Sequence, residues 1–206
     1  MLSQIFKRGW YTEKVTDPIG RFFVWTGVSA NFVSFLAVPL AVVAAWFIYQ
    51  HQLAPGLLFI FLAVATDALD GAIARLRKQV SGWGSYWDAM MDKYAEMIIY
   101  VGFALGGWAL PALLAAAGTM LISYAKPRAA IVMPLGNEDW PAIGERSDRT
   151  ILLMAGLLVA LFVPIIYGYT TVELTLYLVA VVTNIGAIQR MAFAHGLISN
   201  WEKSKK

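Results

Sequence analysis

The chain has 206 residues, of which 59% are apolar and only 14% charged, with a mean hydropathy of +0.63 and a formal net charge of +3. Soluble domains carry about 25% charge, so this balance excludes an ordinary soluble protein and points to a single integral membrane domain over residues 1–206. There is no cysteine, which excludes disulfides and thiolate-held metals, and no nucleic-acid partner is expected.

Residues 1–28 mix charges (Lys7, Arg8, Glu13, Lys14, Asp17, Arg21) with Phe6, Trp10, Phe22, Phe23 and Trp25. That mixture predicts an amphipathic helix lying in the membrane interface. Lys7-Arg8 is followed by a polar stretch, so no cleavable leader is expected.

Six apolar segments follow, at about Asn31–Gln50, Gly56–Lys78, Gly84–Leu105, Trp108–Met133, Thr150–Tyr167 and Thr171–His195. Each is near the roughly 20 residues a helix needs to cross a bilayer. The expected fold is an all-α integral membrane protein. Six transmembrane helices form a bundle over residues 30–197, preceded by the interfacial helix and followed by a basic tail over 198–206. The turns at His51–Pro55, Gly106–Gly107 and Gly168–Tyr169 hold none of the 16 Lys and Arg residues. By the positive-inside rule both termini and the basic loops face the cytoplasm. The eight tryptophans fall mostly near span ends, as aromatic belts do. His51 and His195 read as interface anchors. Glu96, one turn beyond Asp92, reads as a partner for Lys93 or for a second subunit, ahead of an extension of the acidic site.

Four aspartates, Asp67, Asp70, Asp88 and Asp92, interrupt the second and third spans. A carboxylate in hydrocarbon costs roughly 2.5–3.5 kcal/mol on insertion scales, so four require a reason. Asp67 and Asp70 are three apart and Asp88 and Asp92 four apart, so each pair shares a helix face. Counting about 1.5 Å per residue from the connecting loop puts both pairs at overlapping depths in the cytoplasmic half of the membrane. Clustered carboxylates repel unless cations neutralise them, and an all-oxygen donor set suits Mg²⁺, Mn²⁺ or Ca²⁺. Gly71, Ala74 and Gly84 nearby are small, which permits close approach of a ligand or tight helix packing. Arg75 can neutralise a phosphate or serve as a topology-setting charge.

The pattern D-x2-D-G-x2-A-R-x8-G-x3-D-x3-D, from Asp67 to Asp92, resembles at every fixed position the signature of the CDP-alcohol phosphotransferases, integral membrane enzymes of phospholipid synthesis. The resemblance covers most of the chain. It implies that Asp67, Asp70, Asp88 and Asp92 bind metal, two ions of Mg²⁺ or Mn²⁺, and that Asp92 is also the base that deprotonates the acceptor hydroxyl. It implies that Asn31, Asp67, Asp70, Gly71, Ala74, Arg75 and Gly84 hold the CDP moiety of a CDP-lipid, either CDP-diacylglycerol or CDP-archaeol. It also implies a homodimer.

The acceptor is addressed by a second set of charges. Lys126-Pro127-Arg128, Glu145-Arg146-Ser147-Asp148-Arg149 and Gln189-Arg190 resemble the K-x-R, E-R-x-x-R and Q-R elements of the phosphatidylinositol-phosphate and archaetidylinositol-phosphate synthases. That resemblance implies a phosphorylated polar alcohol, inositol 1-phosphate, held by Lys126, Arg128, Arg149 and Arg190; for Glu145 and Arg146 the simple alternative to a role in the site is that they pair with each other. The sequence departs from the family at Pro127 and at Ser29-Ala30-Asn31, where the family shows a Thr-Pro-Asn-like entry to the first span. Glycerol 3-phosphate is the alternative acceptor. From other classes, an ion transporter would spread its carboxylates along a path. A membrane prenyltransferase would need a second acidic motif.

Overall fold

The computed structural model describes residues 17–136, 140 and 142–205. Most of the expected interfacial segment, residues 1–16, lies outside them. The chain divides into two compact units, residues 1–107 and 108–206, each with its own helices.

In the first unit α1 is Asp17–Trp25, α2 Ala30–Tyr49, α3 Leu53–Leu76 and α4 Gly82–Phe103. Ser29 caps α2 by accepting from the Phe32 N–H at 3.3 Å, and Ser81 caps α4 by accepting from the Gly84 N–H at 3.0 Å, as N-terminal hydroxyls do. The buried face of α2 is Val33, Ser34, Ala37, Ala41, Ala44 and Ile48. This stripe of mostly small residues lets α2 pack closely on both α3 and α4. In lipid, helix association rests on such close contact rather than on a hydrophobic drive. Gly102 of α4 is one such contact: a Cβ there would lie 2.6 Å from the Ala45 Cα. α1 lies against α3, where Arg77 Nη2 donates to the Val24 carbonyl at 3.2 Å.

A π-helical turn, Ala104–Trp108, spans the boundary at Gly107, and Gly107 takes φ +98°. An L side chain disfavours that conformation, so the break falls at the Gly-Gly pair where the sequence places a turn.

The second unit holds α5 (Ala109–Val132), α6 (Arg146–Phe162), a hairpin β1 (Ile165–Ile166) with β2 (Tyr169–Thr170), and α7 (Thr171–Ser204). The hairpin turn has φ +49° at Tyr167 and +86° at Gly168, the positive-φ pair that two-residue hairpins favour. α5 and α7 pack along their length. Gly118 lets Thr183 and Asn184 approach, and Asn184 Nδ2 donates to the Leu114 carbonyl at 3.0 Å. Pro39 and Pro127 sit inside α2 and α5; membrane helices tolerate such prolines.

The described helices include four continuous runs long and apolar enough to cross a bilayer: Ala30–Tyr49, Leu53–Leu76, Gly82–Val132 and Thr171–Ser204. The protein is a multi-pass, all-helical membrane protein. The last helix continues past His195 to Ser204. The drop in hydropathy there ends the apolar stretch without ending the helix.

Candidate metal and nucleotide site

The acidic motif falls on facing stretches of α3 and α4. On α3 the buried positions Gly56, Ile60, Ala63, Thr66, Asp70 and Ile73 follow a helical period, so Asp70 points inward from the same stripe that packs the helix. Asp67 lies one turn before it, and Asp88 comes from α4. Carboxylate oxygens of Asp67, Asp70 and Asp88 lie within 4.8 Å of one another. Asp70 is 5% exposed, while Asp67 and Asp88 are half-buried. Asp92, one turn further along α4, is not part of this trio.

Ser34 of α2 donates its Oγ–H to Asp70 Oδ2 at 2.5 Å and is itself buried. The second helix of the unit thus orients a carboxylate of the third. The sequence offered no signal for Ser34 beyond its spacing from Asn31, three positions earlier on the same face. Three buried or half-buried oxygen donors, one held by a hydroxyl, fit a hard divalent cation such as Mg²⁺ or Mn²⁺.

Beside the trio lies a cleft of about 250 Å³. Of the positions expected to hold the nucleotide, Asn31, Asp70, Gly71, Ala74, Arg75 and Gly84 line it; Asp67 stands in the carboxylate trio. A Cβ on Gly84 would lie 3.5 Å from Asn31 Oδ1, and one on Gly71 would lie 3.2 Å from Arg75 Nη1. The small residues therefore keep clear the space that Asn31 and Arg75 border. Trp87 Nε1 donates to the Asn31 carbonyl at 2.9 Å, tying α4 to the start of α2. Gln79, Ser81 and Ser85 also line the cleft. Gln79 and Ser81 lie in the connecting turn, between the expected spans, and Ser85 lies in the first turn of α4, inside the expected third span. Lys93 and Glu96 pair at 2.6 Å within α4.

The four cations expected to bind the acceptor all belong to the second unit. Lys126 and Arg128 are exposed on α5. Arg128 lines a groove of about 700 Å³ between α5 and α7, together with Tyr124, Met191 and His195. Arg149 is buried, and its Nη1 donates to the Gly144 carbonyl at 3.2 Å. Arg190 of α7 donates from Nη1 to the Ile122 carbonyl at 2.8 Å. Its Nη2 meets Glu145 Oε1 at 3.2 Å. Glu145 thus reaches a partner 45 positions along the chain.

Several apolar spans and an all-oxygen acidic cluster beside a cleft define a membrane protein with a candidate divalent-cation site. The CDP-alcohol phosphatidyltransferase family model matches residues 27–188. The archaetidylinositol phosphate synthase of Pyrococcus horikoshii is 31% identical over 199 residues, covering 93% of this chain and 95% of that protein. The phosphatidylinositol phosphate synthase of Mycobacterium marinum is 28% identical over 187 residues, covering 86% of this chain and 78% of that one. The crystal structure of Mycobacterium tuberculosis phosphatidylinositol phosphate synthase with CDP-DAG bound superposes with a TM-score of 0.74 at 24% identity. That match covers 88% of this chain and 94% of the other and shows a shared fold. The chain belongs to the CDP-alcohol phosphatidyltransferase family, and it is a transferase.

Proposed function

We propose that the protein transfers the phosphatidyl-type group of a CDP-lipid, diacyl or archaeol, to a hydroxyl of inositol 1-phosphate and releases CMP. The observation that carries this reading is the trio Asp67, Asp70 and Asp88 beside a cleft lined by Gly71, Ala74, Arg75 and Gly84. Inositol phosphate is favoured because the relatives named above are synthases of archaetidylinositol phosphate and phosphatidylinositol phosphate.

In this mechanism Asp67, Asp70 and Asp88, with Asp92, hold two divalent ions, Mg²⁺ or Mn²⁺. When bound, such ions neutralise phosphate charge and stabilise the leaving group. Asn31, Gly71, Ala74, Arg75 and Gly84 bind the CDP moiety. Asp92 takes the proton of the acceptor hydroxyl. The acceptor oxygen then forms a bond to the lipid-linked phosphorus. The bond from that phosphorus to the CMP phosphate oxygen breaks, and CMP leaves with the electron pair. Lys126, Arg128, Arg149 and Arg190 bind the acceptor's phosphate, for which guanidinium forks are suited.

The chain in this reading is one catalytic domain with six spans. α4 and α5 count separately across Gly107, and α6 supplies the fifth. The N-terminal residues lie in the interface, both termini and the site face the cytoplasm, and the enzyme works as a homodimer. The test is release of CMP from CDP-lipid by the purified protein in nanodiscs with Mn²⁺. The acceptors are inositol 1-phosphate, glycerol 3-phosphate, serine and free inositol. Turnover is expected with inositol 1-phosphate. Preference for glycerol 3-phosphate replaces the acceptor, preference for an unphosphorylated alcohol removes the role of the four cations, and no release with any acceptor refutes the reaction.

A further inference from the structure

The turn ahead of α6 is stitched to α7. The Ile143 N–H donates to Gln189 Oε1 at 2.9 Å, and the Ile143 carbonyl packs on Gly186, where a Cβ would collide with it. Trp140 meets Phe193 edge-on with centroids 5.3 Å apart. Gly144 takes φ +78°, which turns the chain so that Glu145 reaches Arg190. Arg190 is therefore gripped from two sides, by Glu145 before α6 and by the Ile122 carbonyl on α5. Arg149 bonds the carbonyl of Gly144, the residue before Glu145, so two guanidiniums flank this turn.

A guanidinium carries five N–H donors in a planar fork. Arg190 commits one nitrogen to Ile122 and another to Glu145, while its Nε is buried with no hydrogen-bond partner among the described residues. A buried donor without a partner calls for a physical reason. Each terminal nitrogen carries two N–H groups and uses one of them here, so a side chain clamped in this way is preorganised to present the remaining terminal N–H groups to an anion. It has already lost the rotamer freedom that a loose arginine would give up on binding.

We propose that Glu145 is a positioning residue for the acceptor: its carboxylate, with the Ile122 carbonyl, fixes the Arg190 guanidinium so that the remaining N–H groups receive the acceptor phosphate. The inference rests on the reading of Arg190 as an acceptor-phosphate ligand. Glu145 itself does not touch substrate. Its negative charge also offsets the two guanidiniums, which would otherwise repel in a poorly solvated setting.

The test measures kcat, KM for inositol 1-phosphate and KM for CDP-lipid in nanodiscs for Glu145→Gln, Glu145→Asp, Arg190→Gln and the double variant Glu145→Gln/Arg190→Gln, with the thermal midpoint of each. Glu145→Gln is expected to raise acceptor KM about tenfold, a size typical of coupling between contacting residues, with CDP-lipid KM unchanged. Glu145→Asp should recover part of the loss. The double variant should be no worse than Arg190→Gln alone, because the clamp acts only through Arg190. An unchanged acceptor KM in Arg190→Gln overturns the underlying reading. Impaired Arg190→Gln with normal Glu145→Gln, or with additive losses in the double variant, overturns the positioning role alone. A lower acceptor KM in Glu145→Gln makes Glu145 a competitor for Arg190 and also overturns it. So does an equal loss in every parameter with a lowered thermal midpoint.

Discussion

Ser34→Ala removes one hydroxyl from a buried pair. Ser34 Oγ donates to Asp70 Oδ2 at 2.5 Å, and the two residues are 4% and 5% exposed. A hydrogen bond to a charged group contributes about 1.5–3 kcal/mol. Losing a group that orients a metal ligand costs about 10–100-fold in metal affinity, and at about 1.4 kcal/mol per tenfold the two ranges overlap. Alanine nearly preserves volume, so α2 should keep its packing on α3 and α4. The assay is CMP release against Mn²⁺ concentration at saturating CDP-lipid and acceptor. The half-maximal Mn²⁺ concentration should rise about 10–100-fold, while kcat at saturating metal stays within a few-fold of the parent. An unchanged Mn²⁺ requirement would refute either Asp70 as a ligand or Ser34 as the group that orients it. A collapse of kcat that excess Mn²⁺ does not restore would move Ser34 into substrate binding.

Asp92→Asn should bind CDP-lipid normally while turnover falls about 10²–10⁴-fold, the contribution of a positioned base; full activity removes Asp92 from that role. EDTA should abolish CMP release and added Mn²⁺ or Mg²⁺ restore it, whereas activity that persists through exhaustive chelation would sink the assignment of the carboxylate trio. Gly102→Ala should lower the thermal midpoint by several degrees, because its Cβ would lie 2.6 Å from Ala45 Cα and 2.9 Å from the Ala45 carbonyl. Overpacking of this kind costs about 1–3 kcal/mol, and an unaltered midpoint would show that α2 and α4 can separate freely.

Local spacing made the acidic site legible. Asp67 and Asp70 share one helix face, Asp88 follows a short turn, and the structure draws these three together. The turns expected at Gly106–Gly107 and Gly168–Tyr169 fall where the structure turns, but the second is a β-hairpin, and the fifth apolar segment, expected to run helical to Tyr167, leaves the helix at Phe162. Span ends were less legible. Hydropathy marks where the membrane stops, and α7 runs on through Trp201 to Ser204 because solvated polar residues can remain helical. Ser34 was silent. A lone serine in an apolar span commonly bonds its own preceding turn, and Ser34 does reach the Ala30 carbonyl at 3.2 Å. Only the packing of α2 on α3 reveals its second partner.

The same distinction separates the reaction from its acceptor. Asp67 to Asp88 needs one helix, one turn and another helix, so helical period and loop length nearly determine the grouping. Arg190, on α7, meets groups from two other pieces of chain: Ile122 on α5 and Glu145 before α6. No local period links position 145 to 190. The E-R-x-x-R stretch therefore reads from sequence as self-paired charge. In the folded chain, Glu145 contacts the Arg190 guanidinium, the proposed acceptor-phosphate ligand. If Arg190 holds the acceptor phosphate as proposed, acceptor choice depends on the residue that orients it as well as on the cation, and a count of Lys and Arg alone does not separate that role from topology-setting charge.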